Sequence, residues 1–449
     1  MNGNYAEWAA DIVKQALAAG ASDAECTISE GDEFSAGVRL REVETLKEAG
    51  SRAAGLRILK GRRTGSAYTS DLSADGIRRM VRSALELVSI TTEDPFAGLP
   101  DISELGSLAG ELALYSDDVA GLPTELKIDM ARRAEDAALR ADPRVTNSEG
   151  ASFDTHLGRN AFANSRGFAG EYRTSYCSVN TVPVAREGDS MERDYWFSTA
   201  RRFAGLDQPE EVGRIAARRA VRRLGRVKVE TRKVPVVFEP RTARSLLDNI
   251  FDAVHGVSVY RNESFLAGKL GERVASEKLT VIDDGTIPGL FGTSPFDDEG
   301  VPTRRTVVID KGVLKSYLLN AYTARKLGLK TTGNASGGLA GNAGVGNGNL
   351  YIEKGSAPPE QLIAGIREGF YVTELMGFGV NIVTGDYSRG AAGLWIRNGE
   401  LAFPVSEVTI AGNLRRMLLD LEAAGADLQF RGSMAAPTLV IAEMTVGGR

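Results

Sequence analysis

The hydrophobic pattern of the chain changes near residue 230, and this change limits the possible folds more than overall composition does. Before it, apolar residues three and four positions apart alternate with β-like runs. After it, short β-like segments punctuated by glycine predominate. A chain of 449 residues also exceeds the roughly 250–300 at which a single core stops growing. We therefore expect two domains, residues 1–230 and 231–449.

The first of these segments has the pattern of a mixed α/β domain. Apolar residues at helical spacing predict helices that end before Gly20, that follow Ser73 and that span about 124–140. Between them, residues 23–70 and 144–204 contain short alternating runs joined by polar turns, which is typical of strands. We expect an N-terminal domain in which helices pack against a sheet meander.

The second segment predicts a β-rich domain. One helix is expected at about 240–255, followed by strands at 279–282, 306–309, 371–375 and 394–397. No repeat of constant period occurs, which argues against a solenoid or propeller. The fold class is therefore α+β, with the C-terminal domain built on a curled, barrel-like, largely antiparallel sheet that carries a few helices.

Charge argues against nucleic acid as a partner. The chain has 54 basic and 59 acidic residues, a formal charge of -5, so its overall field repels a polyanion. One helix, expected to be capped by Asp207, is locally basic, but its apolar positions make it an ordinary amphipathic helix with a solvated basic face. The basic residues are Arg214, Arg218, Arg219, Arg222, Arg223, Arg226 and Lys228.

The compartment is expected to be the cytoplasm, without a membrane partner. The sequence contains no signal-peptide pattern and no apolar run approaching the roughly 18 residues of a membrane span. Its two cysteines, Cys26 and Cys177, are far apart and are expected to behave as small apolar side chains.

Common catalytic signatures do not occur in this sequence. The string G-x-S-x-G is missing, and so is the phosphate-binding string G-x-x-x-x-G-K-[ST]. The two histidines, His156 and His255, are too few and too far apart for a histidine-rich zinc triad. Neither nucleophilic catalysis nor nucleotide chemistry is therefore indicated.

One face of a predicted helix carries residues that could form a metal site. Asp248, Asp252 and His255 fall on one face of the helix expected at 240–255, because positions i, i+4 and i+7 nearly superpose. The opposite face is apolar, so the stripe is also what any amphipathic helix would show. We favour that structural interpretation and keep a non-standard metal site as the alternative.

The glycine-rich segment 333–348 reads GNASGGLAGNAGVGNG and contains no lysine or arginine. Such a segment is expected to form a mobile surface loop. The alternative is a lid whose backbone can approach an extended peptide.

Several strings in the second half resemble the TldD/PmbA family, formerly called modulators of DNA gyrase, and specifically its PmbA (TldE) branch. They are SPFDDEGVPTRR at 294–305, LLNAYTARKLGLKTTGNASGG at 318–338, TELMGFGVNIVTGDYSRGAAG at 373–393, PVSEVTIAGNL at 404–414 and EMTVGG at 443–448. These strings lie between residues 294 and 448 and are spread over most of the second domain, whereas the first domain has a compatible length and layout but weaker motifs.

The resemblance implies where a zinc site would lie in the TldD branch. There, a helix bearing H-E-x-x-x-H and a cysteine near the C-terminus hold the metal. Anchoring on GERVASEKLTVIDDGT at 271–286 puts the three motif positions at Leu247, Asp248 and Asp252, and the cysteine region at 430–436, which contains no cysteine. The chain itself is therefore expected to hold no zinc, no other cofactor and no catalytic residue.

The function that the resemblance implies is that of a non-catalytic subunit. A TldD-like partner would supply zinc in a heterodimer, and this chain would help to position unfolded or short peptides as one component of a metallopeptidase. Candidate peptide-binding residues lie where the family pattern is densest, namely Glu374, Met376, Asp386, Tyr387, Ser388 and Arg389. A homodimer is also possible, since related subunits can use the same interface.

Two other functions remain open. The chain could be a peptidase with its own non-standard metal site, built on the stripe that contains Asp248. It could instead be a regulatory module that binds a protein, such as a modulator of gyrase or of a toxin–antitoxin pair, as the older family name implies.

Overall fold

The computed structural model describes residues 4–448, and within them a seven-stranded antiparallel sheet dominates the N-terminal part. Its strand order is β3-β2-β1-β4-β5-β6, with β7 paired to β5. Four of the strands have 17 to 20 residues, so the short runs expected from sequence are wrong in length. The strands are β1 (Asp23–Arg39), β2 (Glu42–Lys60), β3 (Arg63–Thr69), β4 (Val145–Asn164), β5 (Ala169–Glu187), β6 (Ser190–Arg193) and β7 (Trp196–Ala200).

Helices cover this sheet where the apolar periodicity predicts them. Ser73 caps its helix by accepting a hydrogen bond from the backbone N–H of Gly76 at 3.1 Å. The fifth helix begins one residue later than expected, with Gln208 rather than Asp207 as its N-cap and Pro209 in its first turn. The helices are α1 (Tyr5–Ala18), α2 (Ala74–Ile90), α3 (Asp117–Ala120), α4 (Thr124–Ala141) and α5 (Pro209–Val221).

The C-terminal part contains shorter elements. A short helix that the sequence did not predict follows the long one, and His255 caps it by accepting from the N–H of Val257. In chain order the elements are β8 (Arg232–Phe238), α6 (Pro240–Val254), α7 (Gly256–Tyr260), β9 (Val281–Asp284), β10 (Arg305–Asp310), β11 (Val313–Leu314), α8 (Ala321–Leu327), β12 (Ala335–Ser336), β13 (Gly344–Val345), β14 (Leu350–Ile352), α9 (Pro359–Ala364), β15 (Glu368–Met376), β16 (Asp386–Arg397), β17 (Glu400–Asn413), α10 (Leu414–Leu419), β18 (Leu421–Ala424), β19 (Met434–Ala435) and β20 (Leu439–Gly447).

A five-stranded barrel forms the centre of the C-terminal part. Its strands run in the order β17-β16-β15-β8-β20, and β17 pairs again with β20, which closes the circle. A second sheet of order β11-β10-β9-β14-β19 lies beside it, and β12 pairs with β13. The expected α+β fold with a curled, barrel-like sheet is confirmed. The expected domain boundary at 230 falls between α5 and β8 and stays a prediction.

Helix α6 packs its apolar face into the core of the C-terminal part. Leu246, Leu247, Ile250 and Val254 are all buried there, together with barrel residues such as Phe370. Burying each such side chain contributes roughly 1.5–3 kcal/mol, so the orientation of α6 about its axis is strongly determined. At the start of the helix, the opposite face meets the N-terminal part, where Arg241 contacts Asp194 at 3.2 Å.

Buried ion pairs join α5 to the start of α6. Arg219 on α5 contacts Glu239 at 2.6 Å and Asp194 at 3.2 Å, and all three side chains are less than a tenth exposed. Arg222 also contacts Glu239, at 3.0 Å. The expectation of a fully solvated basic face is therefore wrong for this helix, because part of that face connects the two halves of the molecule.

Within residues 4–448, none of the helices combines the length and hydropathy that crossing a membrane requires.

Candidate functional site

A cavity of about 570 Å³ lies where α6 begins, between the N-terminal sheet and the barrel, and we call it the α6 cavity. Strand β7 forms its aromatic wall, α6 and the ends of β15 and β16 form its floor, and residues 427–436 close it from the other side. The lining residues include Tyr195, Trp196, Phe197, Arg241, Arg244, Ser245, Glu374, Arg389, Asp427, Arg431, Met434 and Ala435.

The aromatic wall holds two arginines in place. The Arg241 guanidinium lies 4.0 Å from the centre of the Tyr195 ring, and that of Arg431 lies 4.5 Å from the centre of the Trp196 ring. Arg431 also donates to the backbone oxygen of Phe197 at 2.8 Å. These contacts fix planar cations at the rim of the cavity, where they can meet carbonyl or carboxylate oxygens.

Arg389 has hydrogen-bonding capacity to spare. One of its terminal nitrogens donates to Ser245 Oγ at 2.6 Å, whereas its buried Nε has no partner among the described residues. Among those residues, arginines outnumber carboxylates along the cavity wall. The cavity is therefore suited to groups that accept hydrogen bonds, such as the backbone carbonyls of a peptide.

The family resemblance places three motif positions on α6, and the structure separates them. Leu247 is fully buried in the hydrophobic core and faces away from the cavity wall. Asp248 is half-buried, and its pKa is raised by burial while the neighbouring Arg244 opposes the rise. Asp252 is exposed at the surface, but partial desolvation of its carboxylate by the surrounding protein raises its pKa as well. Region 430–436 does reach the same cavity through Arg431 and β19.

The alternative metal stripe does not present free ligands. Both ring nitrogens of His255 are engaged: Nδ1 accepts from the N–H of Val257 at 3.2 Å, and Nε2 lies 3.1 Å from the backbone oxygen of Val345. Burial lowers the pKa of this histidine. Across residues 4–448, no three side chains of histidine, cysteine, aspartate or glutamate gather in an arrangement that could hold a metal ion.

These residues therefore do not fit zinc. A leucine has no donor atom, and the two aspartates on α6 cannot replace two imidazoles and a thiolate. No cysteine occurs in 430–436, and His255 uses both nitrogens within the fold.

The six candidate peptide-binding residues lie in different surroundings. Glu374 and Arg389 line the α6 cavity, and Glu374 also accepts a hydrogen bond from Arg223. Tyr387 is only 1% exposed, so we withdraw it as a peptide contact. Asp386 accepts from Thr384 and Asn413 and shapes the turn before β16. Met376 and Ser388 are exposed near the β15–β16 turn, and their role in binding stays a prediction.

Sequence reasoning missed the aromatic wall and the arginines that it holds. The available signal was the run Tyr195-Trp196-Phe197, three aromatic residues in succession on a strand. Successive strand residues point to opposite faces, so such a run cannot bury all its rings on one side of a sheet. The run therefore indicates a strand with a partner on each face.

Family models match three consecutive stretches of the chain. Residues 24–88 match the PmbA/TldA metallopeptidase domain 1, residues 117–224 match the central domain, and residues 231–448 match the C-terminal domain.

Curated relatives match over nearly the whole length. The chain is 39% identical to metalloprotease PmbA of Escherichia coli O157:H7, and the match covers 96% of this chain and 94% of that one. It is 35% identical to a metalloprotease PmbA homolog of Haemophilus influenzae, with 97% and 94% covered.

Solved structures share the fold. A candidate modulator of DNA gyrase from Bacteroides thetaiotaomicron superposes with a TM-score of 0.92 at 29% identity, and both chains are covered completely. TldE from Thermococcus kodakarensis superposes with a TM-score of 0.87 at 21% identity, covering 98% of this chain and 99% of that one, which supports the fold alone.

Proposed function

The chain belongs to the PmbA/TldD metallopeptidase family, and we propose that it is the non-catalytic, substrate-positioning subunit of a heterodimeric zinc metallopeptidase that acts on unfolded or short peptides. The observation that carries this proposal is the position of Leu247. The resemblance assigns it to the first zinc-binding histidine, and its side chain is part of the hydrophobic core. In this proposal the zinc belongs to a TldD-like partner subunit.

The α6 cavity supports a role in holding extended peptides. Strands β7 and β19 both line it, and within the described residues each is the last strand on its side of a sheet. An edge strand offers unpaired backbone groups to which an extended peptide can add, largely independently of its sequence. Arg389 and Arg431 lie beside these edges and can donate to peptide carbonyl oxygens.

A peptidase with its own metal site is the alternative that the family name favours. The curated relatives are named metalloproteases, but His255 engages both nitrogens within this fold and Asp252 is exposed. We therefore rank this alternative second.

The proposal of a substrate-positioning subunit also includes the cytoplasm as the compartment, where an unfolded peptide and a TldD-like partner would meet the chain.

The test compares three samples: this chain, a TldD-like partner from the same organism, and their mixture. Zinc content is measured by elemental analysis, and hydrolysis is measured on a fluorogenic unfolded casein. We expect zinc in the partner and full activity only in the mixture. Stoichiometric zinc and turnover by this chain alone would establish the alternative, and a mixture without activity would favour a regulatory binder.

The variant Arg389→Gln tests the positioning role within the mixture. We expect it to raise KM for the casein by about tenfold with little change in kcat, because it removes ground-state and transition-state contacts equally. Arg367→Gln changes an exposed arginine outside the cavity and serves as the matched control. A KM for Arg389→Gln that equals the control value contradicts the assignment of this cavity.

A further inference from the structure

A second cavity, of about 380 Å³, lies between the N-terminal sheet and the loops of the C-terminal part, and we call it the junction cavity. Among the described residues, none lines both this cavity and the α6 cavity. Its wall includes Tyr172, Tyr176, Arg201, Asp283, Phe291 and Phe296. Its volume is at the lower end of the range for small-molecule sites, about 300–1,000 Å³.

One wall carries a buried cation without a counter-ion. Arg201 is 8% exposed and donates to the backbone oxygens of Leu290 and Phe291 at 3.4 and 3.1 Å. Its Nε has no hydrogen-bond partner among residues 4–448, and none of the ion pairs formed within that range includes Arg201. Burial lowers the pKa of Arg201, which reflects the cost of keeping this charge away from water.

The other wall carries a buried carboxylate with one free oxygen. Asp283 on β9 is 2% exposed, and its Oδ2 accepts from Asn334 Nδ2 at 2.7 Å. Its Oδ1 has no hydrogen-bond donor within the described part of the chain. The neighbouring Asp297 is satisfied by backbone N–H groups, including that of Ala335 at 2.9 Å. Among the described buried carboxylates of the wall, Asp283 is thus the one with an oxygen left for a ligand, whereas Asp298, which also lines the cavity, is exposed.

Aromatic rings form part of the lining of the same cavity. Tyr172 and Phe168 each pack edge-on against Phe296, at 5.4 and 5.0 Å between ring centres, and Tyr176 packs against Phe291 at 6.0 Å. The rings of Tyr172, Tyr176 and Phe291 provide apolar surface beside Arg201. A cavity of this kind complements a molecule with charged ends and a small apolar body.

The glycine-rich segment forms part of the cavity wall and is held on both sides. Its ends line the cavity through Asn334 and Gly348. Its tip lies on β2, where Arg57 donates to Asn342 Oδ1 at 3.2 Å, and the N–H of Gly337 donates to Asp298 at 2.7 Å. The expected mobile loop is instead a strap between the two halves, so the junction cavity is built before any ligand arrives.

We propose that the junction cavity binds a zwitterionic amino compound, either a free amino acid or a short peptide, with its ammonium group on Asp283 and its carboxylate on Arg201. An uncompensated buried charge costs far more than a paired one, so a buried guanidinium without a counter-ion and a buried carboxyl group with a free oxygen, both on the wall of one small cavity, are best explained by a ligand that pairs with both. The inference does not depend on the proposed subunit role, because it concerns a different cavity.

Calorimetric titration of the full chain with L-alanine and with L-alanyl-L-alanine tests this proposal and distinguishes the two sources. We expect one of them to bind at one molecule per chain. Acetylating its amino group or amidating its carboxylate should weaken binding at least tenfold. Equal binding of the blocked and free compounds, or no binding of either up to millimolar concentration, overturns the proposal.

Variants assign the binding to individual residues. Asp283→Asn should weaken binding of the free compound at least tenfold and leave the N-acetylated compound unaffected. Arg201→Gln should likewise weaken binding of the free compound at least tenfold and leave the compound with an amidated carboxylate unaffected. Arg201→Lys keeps the charge and should restore part of the affinity. Asp310→Asn, at an exposed aspartate of the next strand, is the folding control. Loss of binding in Arg389→Gln with none in Asp283→Asn would place the ligand in the α6 cavity and overturn the proposal.

Discussion

Single residues decide whether this chain can hold zinc. Leu247 is packed with Leu246 and Ile250 in the core, while the half-buried Asp248 points towards Arg244 and Arg389. At this motif position the chain therefore does more than lack a metal ligand, because the leucine that stands there is part of the core of the C-terminal part. Returning to a histidine would remove packing as well as add a donor.

The variant Leu247→His is expected to lower the free energy of unfolding by about 2–5 kcal/mol, because an imidazole replaces a buried aliphatic side chain. It should not bind zinc stoichiometrically, since the other ligands are missing. Urea unfolding and elemental analysis check both points. Leu419→His, at a leucine that is 46% exposed, is the matched control. Wild-type stability together with bound zinc in Leu247→His would contradict this account.

Asp283 makes the stability of the protein depend on pH. Burial raises its pKa to about 7, so the folded state prefers the protonated form. The resulting stabilisation is complete below the ordinary pKa of 3.8 and is lost as the pH rises towards 7. Asp283→Asn should therefore gain stability over wild type between pH 5 and pH 8, up to about 4 kcal/mol. Urea unfolding of wild type and Asp283→Asn at pH 5 and at pH 8 measures the difference in their free energies of unfolding. A difference that is the same at both pH values would show that Asp283 does not titrate in this range.

Among the secondary-structure elements, helices were predictable from sequence because their signals are local. The stripe after Ser73 and the one that contains Leu246 and Ile250 both became helices with the expected buried faces. The partners of a helix were less predictable. Nothing in the spacing of Arg219 shows that its partners are Asp194, in the β6–β7 connection, and Glu239, at the N-cap of α6. An amphipathic pattern identifies the polar face but not what covers it.

The buried ion pairs of α5 should contribute more to stability than its exposed ones. Arg219→Ala is expected to cost about 3 kcal/mol, because it removes the most deeply buried cation from Glu239 and Asp194 and leaves only the less buried Arg222, Arg223 and Arg241 close to them. Arg218→Ala, one residue earlier on the same helix, removes an exposed contact with Glu211 and should cost less than about 1 kcal/mol. Urea unfolding of both variants measures the difference. Similar values for the two would show that the network contributes little.

At the scale of the whole molecule, the sequence predicts an N-terminal part of mixed helices and strands and a barrel-like C-terminal part. It does not predict the cavities that form where the two parts meet. The wall of the α6 cavity combines the run at Tyr195 with β19, which begins at Met434. The junction cavity combines Arg201 with Asp283 and the strap. Pattern analysis assigns residues to elements, whereas both cavities arise from how distant elements pack. The candidates Glu374 and Arg389 were found only through the family resemblance.

The strap and the N-terminal sheet meet at a position that admits only glycine. A Cβ at Gly55 would lie 1.4 Å from the backbone oxygen of Leu339, so Gly55→Ala must push the strap away. We expect a loss of about 1–3 kcal/mol and faster proteolysis within 333–348. Gly338→Ala, for which a Cβ meets nothing within 4 Å, is the control. If both variants resist proteolysis equally, the strap does not depend on this contact.

The closed barrel also sets an order in which the chain can fold as it leaves the ribosome. Every strand of the N-terminal sheet precedes residue 201, so that sheet can assemble early in synthesis. The barrel cannot, because β20, which begins at Leu439, bridges β8 and β17. Until β20 emerges, the nascent chain presents two long unpaired strand edges, and these are the surfaces that a chaperone would have to shield.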